Sequence, residues 1–167
     1  MKILGLTGSI GMGKSLVASM LRRRRVPVFD SDRCVHHLLG PNGKACAAVA
    51  KAFPSAWDKK KHLINRQKLG DMIFHAPHQR RKLEAILHPL VAQAQKEFIA
   101  KARRTGIKTI VLDIPLLFET NGQRKCDAVI CVTAPSFIQR IRVLSRKGMT
   151  VERLGHILSQ QWPNFLK

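Results

Sequence analysis

The chain has 167 residues, enough for one domain with an apolar core and a small inserted lobe, but not for two full domains. Its 45% apolar content excludes a disordered composition, and no run approaches the ~20 apolar residues of a membrane span. Lys and Arg number 30 against 10 Asp and Glu, a net charge of +20 that attracts polyanions or, on the plainer reading, is a basic solvated surface.

Residues 2–7 read as a short buried strand rather than a signal peptide, because the apolar run turns at once into a glycine loop. A helix is expected over residues 14–24, closed by four arginines, Arg22 to Arg25, that suit its negative dipole end. Strand, glycine turn and helix open a parallel α/β unit. A second strand is expected at residues 26–29, ending in Asp30-Ser31-Asp32.

Residues 33–105 read as a basic helical lobe inserted after that strand, with little strand signal. Residues 43–53 are alanine-rich, residues 66–74 are periodic, and residues 77–104 form a long helical pattern stopped by Gly106. Pro89 is expected to kink or split that last helix. Residues 108–113 and 127–133 return to apolar strands. A helix follows over residues 135–147, with Gly148 behind it, and Thr150 caps a final helix to about residue 161.

The four cysteines, Cys34, Cys46, Cys126 and Cys131, form no CxxC pair and no metal spacing. They read as reduced, mostly buried side chains of a cytoplasmic protein.

Chemistry concentrates at Gly8-Ser9-Ile10-Gly11-Met12-Gly13-Lys14-Ser15, which matches G-x-x-x-x-G-K-[ST]. Glycines let backbone N–H groups turn inward around phosphate oxygens, and the following helix points its positive end at the same anion. Lys14 can reach the β- and γ-phosphates, and the Ser15 hydroxyl can ligate Mg²⁺. Asp30 and Asp32 follow the second strand, where open α/β sheets place ligands; one of them could accept a hydroxyl proton, or Asp32 could cap a helix. Asp113 ends the third strand and is a candidate Mg²⁺ ligand, or a turn residue before Pro115. Arg142 and Arg146 are four apart on one helix face and could clamp a phosphoryl group, or form a solvated basic face. The clusters Lys59-Lys60-Lys61, Arg80-Arg81-Lys82 and Arg103-Arg104 read as solvated charge, without the interleaved aromatic residues of a nucleic-acid platform.

Several separated segments together resemble the dephospho-coenzyme A kinase family. They are Gly5-Leu6-Thr7-Gly8 running into the phosphate loop, Val28-Phe29-Asp30-Ser31-Asp32, Leu63-Ile64-Asn65-Arg66, and Leu83-Glu84-Ala85-Ile86-Leu87-His88-Pro89. Then follow Pro115-Leu116-Leu117-Phe118-Glu119, Gln139-Arg140-Ile141-Arg142 with Arg146, and Gln161. The resemblance implies an α/β P-loop kinase core, a three-layer fold with a parallel sheet in the order 2-3-1-4-5. It implies a core over residues 1–32 and 106–135, a substrate lobe over about 33–105 and a lid region over about 136–161. It implies ATP-dependent phosphorylation of the 3′-hydroxyl of dephospho-coenzyme A, with Mg²⁺ as cofactor.

The same resemblance assigns residues. Gly8 to Leu16 would bind ATP. Asp32 would be the base, with Lys14, Arg142 and Arg146 as further catalytic residues. His88, Leu117, Glu119 and Arg140 would join Asp32 in binding substrate, and Ser15 and Asp113 would serve the metal. ATP and dephospho-coenzyme A are the expected partners, with no nucleic acid or membrane, in a monomer or weak homo-oligomer. Ser9 stands where the family pattern has glycine, and Leu16 where it has threonine. The family pattern also continues past Gln161, so a fifth strand and a closing helix are expected to be missing, leaving residues 129–132 as an uncovered apolar edge. Two competing readings are a truncated product that holds nucleotide without turnover, and a basic nucleic-acid-binding P-loop protein.

Overall fold

The computed structural model describes residues 1–59, 61–74, 76–163 and 166–167. Lys60 of the expected lysine cluster therefore lies outside the described residues, as do Asn164 and Phe165 of the segment after Gln161. The chain divides into two compact units, Met1–Asp30 with Ala102–Lys167, and Ser31–Lys101.

The first unit is built on a parallel sheet. Its strands are β1 (Lys2–Thr7), β2 (Val28–Asp30), β5 (Thr109–Asp113) and β6 (Ala128–Cys131), in the order β2-β5-β1-β6. Among the described residues this sheet has four strands, and β6 is its edge. Numbered along the chain within this sheet, the order is 2-3-1-4, the expected order without a fifth strand. β5 is nearly all apolar and buried, as a central strand covered on both faces must be. On one face Leu6 and Val111 pack against Ala18 of α1 (Lys14–Arg23), with Leu4, Val17 and Ile130 around them. On the other face Gly5 makes room for its neighbours: a Cβ there would lie 2.7 Å from the Leu117 side chain and 3.0 Å from Cys126 Sγ.

The register brings the carboxyl ends of the strands together. Asp30 and Leu6 each pair with Asp113, and Thr7 pairs with Cys131. In such a sheet this end carries ligands. Two helices, α6 (Ser136–Leu144) and α7 (Val151–Ser159), follow β6. Thr150 caps α7 as its sequence predicts: its hydroxyl accepts a hydrogen bond from the Arg153 N–H.

The second unit is mainly helical, with α2 (Ser31–Leu38), α3 (Cys46–Ala52), α4 (Arg66–Phe74) and the body of α5 (Pro77–Arg104). Its core gathers Leu38, Val49, Phe53, Ile64, Leu69, Leu83 and Leu87.

Several expectations change. The lobe contains an antiparallel pair, β3 (Trp57–Asp58) and β4 (Leu63–Ile64), which a sequence pattern cannot reveal in strands of two residues each. Pro89 does not split α5, which runs unbroken through it. Ala85, whose carbonyl loses a partner to the proline, and Pro89 itself are both exposed, so water can take up the freed bond. The second strand sits later than expected, at Val28–Asp30, and α6 ends earlier, at Leu144. Of the cysteines only Cys46 is fully buried; Cys34, Cys126 and Cys131 are half-buried. Burial pushes the Cys34 and Cys126 thiols up, which disfavours the reactive thiolate.

Candidate phosphate-binding site

The loop between β1 and α1 has the backbone its glycines predict. Gly8, Gly11 and Gly13 all have positive φ, at 156°, 78° and 96°. Two of these positions also forbid a side chain by crowding. A Cβ on Gly8 would lie 2.6 Å from the Val132 carbonyl, and one on Gly11 would lie 2.5 Å from a Val143 methyl. The loop is therefore shaped by its own glycines and by the segment that follows β6.

The loop's carbonyls are turned to protein donors. The Ser9 carbonyl accepts from Met12 N–H at 3.2 Å, and the Gly13 carbonyl from Leu16 N–H at 3.0 Å. The Ile10 carbonyl accepts from Gln139 Nε2 at 2.8 Å, and the Gly11 carbonyl is 3.5 Å from an Arg142 guanidinium nitrogen. Among the described residues no acceptor faces the N–H groups of Gly11, Gly13, Lys14 or Ser15. Unpaired amides at a helix N-terminus are an anion site.

Lys14 and Asp113 meet at this end of the sheet. Lys14 Nζ donates to Asp113 Oδ1 at 2.5 Å, and the Asp113 residue is only 3% exposed. A buried carboxylate needs such a cation. β5 delivers Asp113 beside β1, and α1 starts at Lys14, so the ion pair follows from topology. Ser15 is exposed on the first turn of α1. Thr7 is wholly buried and donates to the Pro115 carbonyl at 3.1 Å, tying the entry of the loop to the turn after β5.

The remaining candidates separate. Asp30 pairs with Arg22 at 3.1 Å. Asp32 is exposed in the first turn of α2, within the helix rather than at the cap position before it. Arg142 faces the loop from α6, and Gly13 lies under its guanidinium. Arg146 lies past the end of α6, in a turn closed by its N–H to the Val143 carbonyl, so the pair does not share one helix. Arg140 is exposed, His88 is exposed on α5, and Leu117 is fully buried among core residues.

Glu119 has partners that its sequence position does not announce. Its Oε1 accepts from Trp162 N–H at 2.8 Å and from Lys167 Nζ at 3.0 Å. Lys167 Nζ is also 3.4 Å from Ser9 Oγ, with its side chain 0% exposed. The Trp162 ring stacks on Phe118 at 6.3 Å. Burial pushes the Glu119 carboxyl up, but hydrogen bonds from its own N–H, from Trp162 and from the Lys167 ammonium outweigh this and hold it below the usual range.

Sequence reasoning assigned no role to Gln139, Gln161 or Lys167. Buried Gln139 stands three and four residues before Arg142 and Val143, which also touch the loop; that i, i+3, i+4 stripe was the available signal.

Comparison with known proteins agrees with this geometry. The CoaE family model, described as dephospho-CoA kinase, matches residues 2–165. The dephospho-CoA kinase of Paramagnetospirillum magneticum is 52% identical over 164 residues, covering 98% of this chain and 76% of that protein. That of Novosphingobium aromaticivorans is 49% identical over 162 residues, covering 97% and 79%. The crystal structure of TT1252 from Thermus thermophilus superposes with a TM-score of 0.83 at 30% identity, over 99% of this chain and 82% of the other. A dephospho-CoA kinase from Campylobacter jejuni, at a TM-score of 0.62 and 20% identity, covers 95% and 79% and shares the fold. With a P-loop on a 2-3-1-4 parallel sheet and a match along nearly its whole length, the chain belongs to the dephospho-CoA kinase family.

Proposed function

We propose that this chain transfers the γ-phosphoryl group of ATP to the ribose 3′-hydroxyl of dephospho-coenzyme A, giving ADP and coenzyme A. The observation that carries this reading is the loop itself: amides without an acceptor at the start of α1 among the described residues, with Lys14 held at the carboxyl end of the sheet by buried Asp113. On this reading Gly8 to Leu16 cradle the phosphates of ATP. Lys14 leaves Asp113 far enough to meet the β- and γ-oxygens, and Arg142, already at the loop, adds positive charge where the transferring group passes. Asp32 accepts the proton of the acceptor hydroxyl, a role open to an exposed carboxylate with no ion pair among the described residues. The helical unit Ser31–Lys101 receives the coenzyme A moiety, and exposed Arg140 and His88 are open to substrate, whereas Leu117, fully buried, and Glu119, engaged by Trp162 and Lys167, can act only through the residues they hold.

Ser15 and Asp113 offer a hydroxyl and a carboxylate, hard oxygen donors suited to Mg²⁺. Mg²⁺ commonly takes one or two protein oxygens and completes its shell with substrate phosphates and water. When bound, the ion neutralises charge on the β- and γ-phosphates. No helix among the described residues is long and apolar enough to cross a membrane, and a cytoplasmic setting suits both substrates.

The test is ADP release measured with dephospho-coenzyme A against adenosine and other nucleoside acceptors. Turnover with dephospho-coenzyme A alone supports the reading; equal turnover with every acceptor removes it. A second reading is nucleotide binding without turnover. It requires ATP binding with no product from any acceptor.

A further inference from the structure

Two glutamines hold opposite sides of the loop residue Ile10. Its N–H donates to Gln161 Oε1 at 3.0 Å, and its carbonyl accepts from Gln139 Nε2 at 2.8 Å. The two amides come from different elements. Gln139 lies in α6 and is 7% exposed; Gln161 follows α7. Partner chemistry fixes each amide's orientation, since only nitrogen can face a carbonyl and only oxygen an N–H.

We infer that Gln139 and Gln161 are positioning residues for phosphoryl transfer, setting the direction of the backbone groups of Ile10 and thereby the shape of the phosphate loop. The inference rests on the reading that this loop binds ATP. A phosphate-binding concavity works only if its carbonyls point away, because an inward carbonyl repels the anion. The carbonyls of Ser9 and Gly13 are turned outward by amides of the loop and α1 themselves. The carbonyl of Ile10 depends on a side chain from elsewhere, and that side chain is nearly inaccessible to water, so water cannot replace it. Gly11 reinforces the arrangement. A Cβ there would lie 3.2 Å from the Gln139 carbonyl oxygen and 3.3 Å from its Cγ, so α6 rests directly on the loop. Loop shape is thereby coupled to the placement of α6, which also carries Arg142 to Gly11, and of Gln161 just after α7.

A charge-matched pair of variants tests this. Gln139→Glu and Gln161→Glu keep the side chain's size and add the same negative charge near the same loop. Gln161→Glu keeps the oxygen that Ile10 N–H needs. Gln139→Glu puts a carboxylate oxygen against a carbonyl oxygen. The expected result is a Kd for ATP, and a kcat/KM with ATP varied, about tenfold worse for Gln139→Glu than for Gln161→Glu, as loss of a buried acceptor's donor requires. Gln139→Met, which removes the donor without charge, is expected to raise the KM for ATP more than it lowers kcat. It keeps the comparison available if Gln139→Glu does not fold by circular dichroism. Equal losses in the two Glu variants, or a Gln139→Met variant with unchanged KM for ATP, overturn the inference. ATP binding by the unsubstituted chain is measured independently of turnover. A chain that binds ATP without making coenzyme A breaks the functional reading while leaving the loop test intact.

Discussion

In the sheet-bearing unit, a strand, a glycine loop and a helix are contiguous in sequence, and the residues that carry chemistry follow one another from Gly8 to Ser15. The helical unit has no such segment. Its core draws one or two buried residues each from α2, α3, β4, α4 and α5, and Asp32, the residue proposed as the base, stands exposed at its start. A phosphate site built from backbone amides needs its glycines at fixed spacing. A packed helical core needs only apolar residues of suitable volume at helical spacing. The two units are therefore expected to fail differently when altered.

The largest effect is expected from removing the charge of the loop. Lys14→Ala should lower kcat/KM by about 10³-fold or more, since a positioned cation on the transferring group is a major electrostatic contribution. It should also weaken the fold, because Asp113 is left buried without its cation. Asp32→Asn should lower kcat by about 10²–10⁴-fold with the KM for ATP and the thermal midpoint nearly unchanged, because the side chain is exposed. Steady-state kinetics with denaturant melts separates the two outcomes. If Asp32→Asn keeps full turnover, the base lies elsewhere.

This contrast follows what the sequence made legible. The parallel strands, α4 and α5 were readable, because apolar runs between glycine and proline signals repeat at helix or strand period. The loop was readable down to single residues, because its chemistry fixes residue types. The β3–β4 pair was not, being too short for alternation to register. Neither was the partnership of Glu119 with Lys167, which joins residues 48 apart in sequence through one ion pair and leaves no periodic trace. Of the two effects expected of Pro89, the split does not occur, because a helix continues through a proline where the freed carbonyl can reach solvent, which only the fold decides.

An intermediate effect tests the other side of the comparison. Phe53, 1% exposed, sits in the helical core, with Lys82 Nζ 5.7 Å above its ring. Phe53→Ala should cost about 3–5 kcal/mol of stability through the cavity it leaves. At temperatures where the variant stays folded, its affinity for ATP should be unchanged while the KM for dephospho-coenzyme A rises. Urea unfolding with nucleotide titration checks both. An equal loss of ATP affinity would mean that the two units do not separate energetically.

The smallest effect concerns Glu119, within the sheet-bearing unit but away from the loop's own backbone. Its carboxyl titrates below the ordinary value of about 4.3 in the folded chain. A lowered carboxyl stabilises the fold fully above the unfolded pKa, and the contribution is lost as pH falls through the folded value. Glu119→Gln should thus be less stable than the parent by about 1 kcal/mol at pH 7, the scale of its hydrogen bonds to Trp162 and Lys167. The difference should shrink below pH 4.3 and vanish once the parent carboxyl is protonated. The net charge of +20 also favours any carboxylate, so part of the difference belongs to the field of the whole chain. Salt separates the two contributions. Screening removes the distant field first, whereas the ion pair to the buried Lys167 side chain is protected from it. Stability measured against pH at low and high salt should therefore retain most of the gap between parent and variant. A gap that disappears in salt would assign Glu119 to the general charge balance and leave its ion pair with Lys167 without a specific contribution.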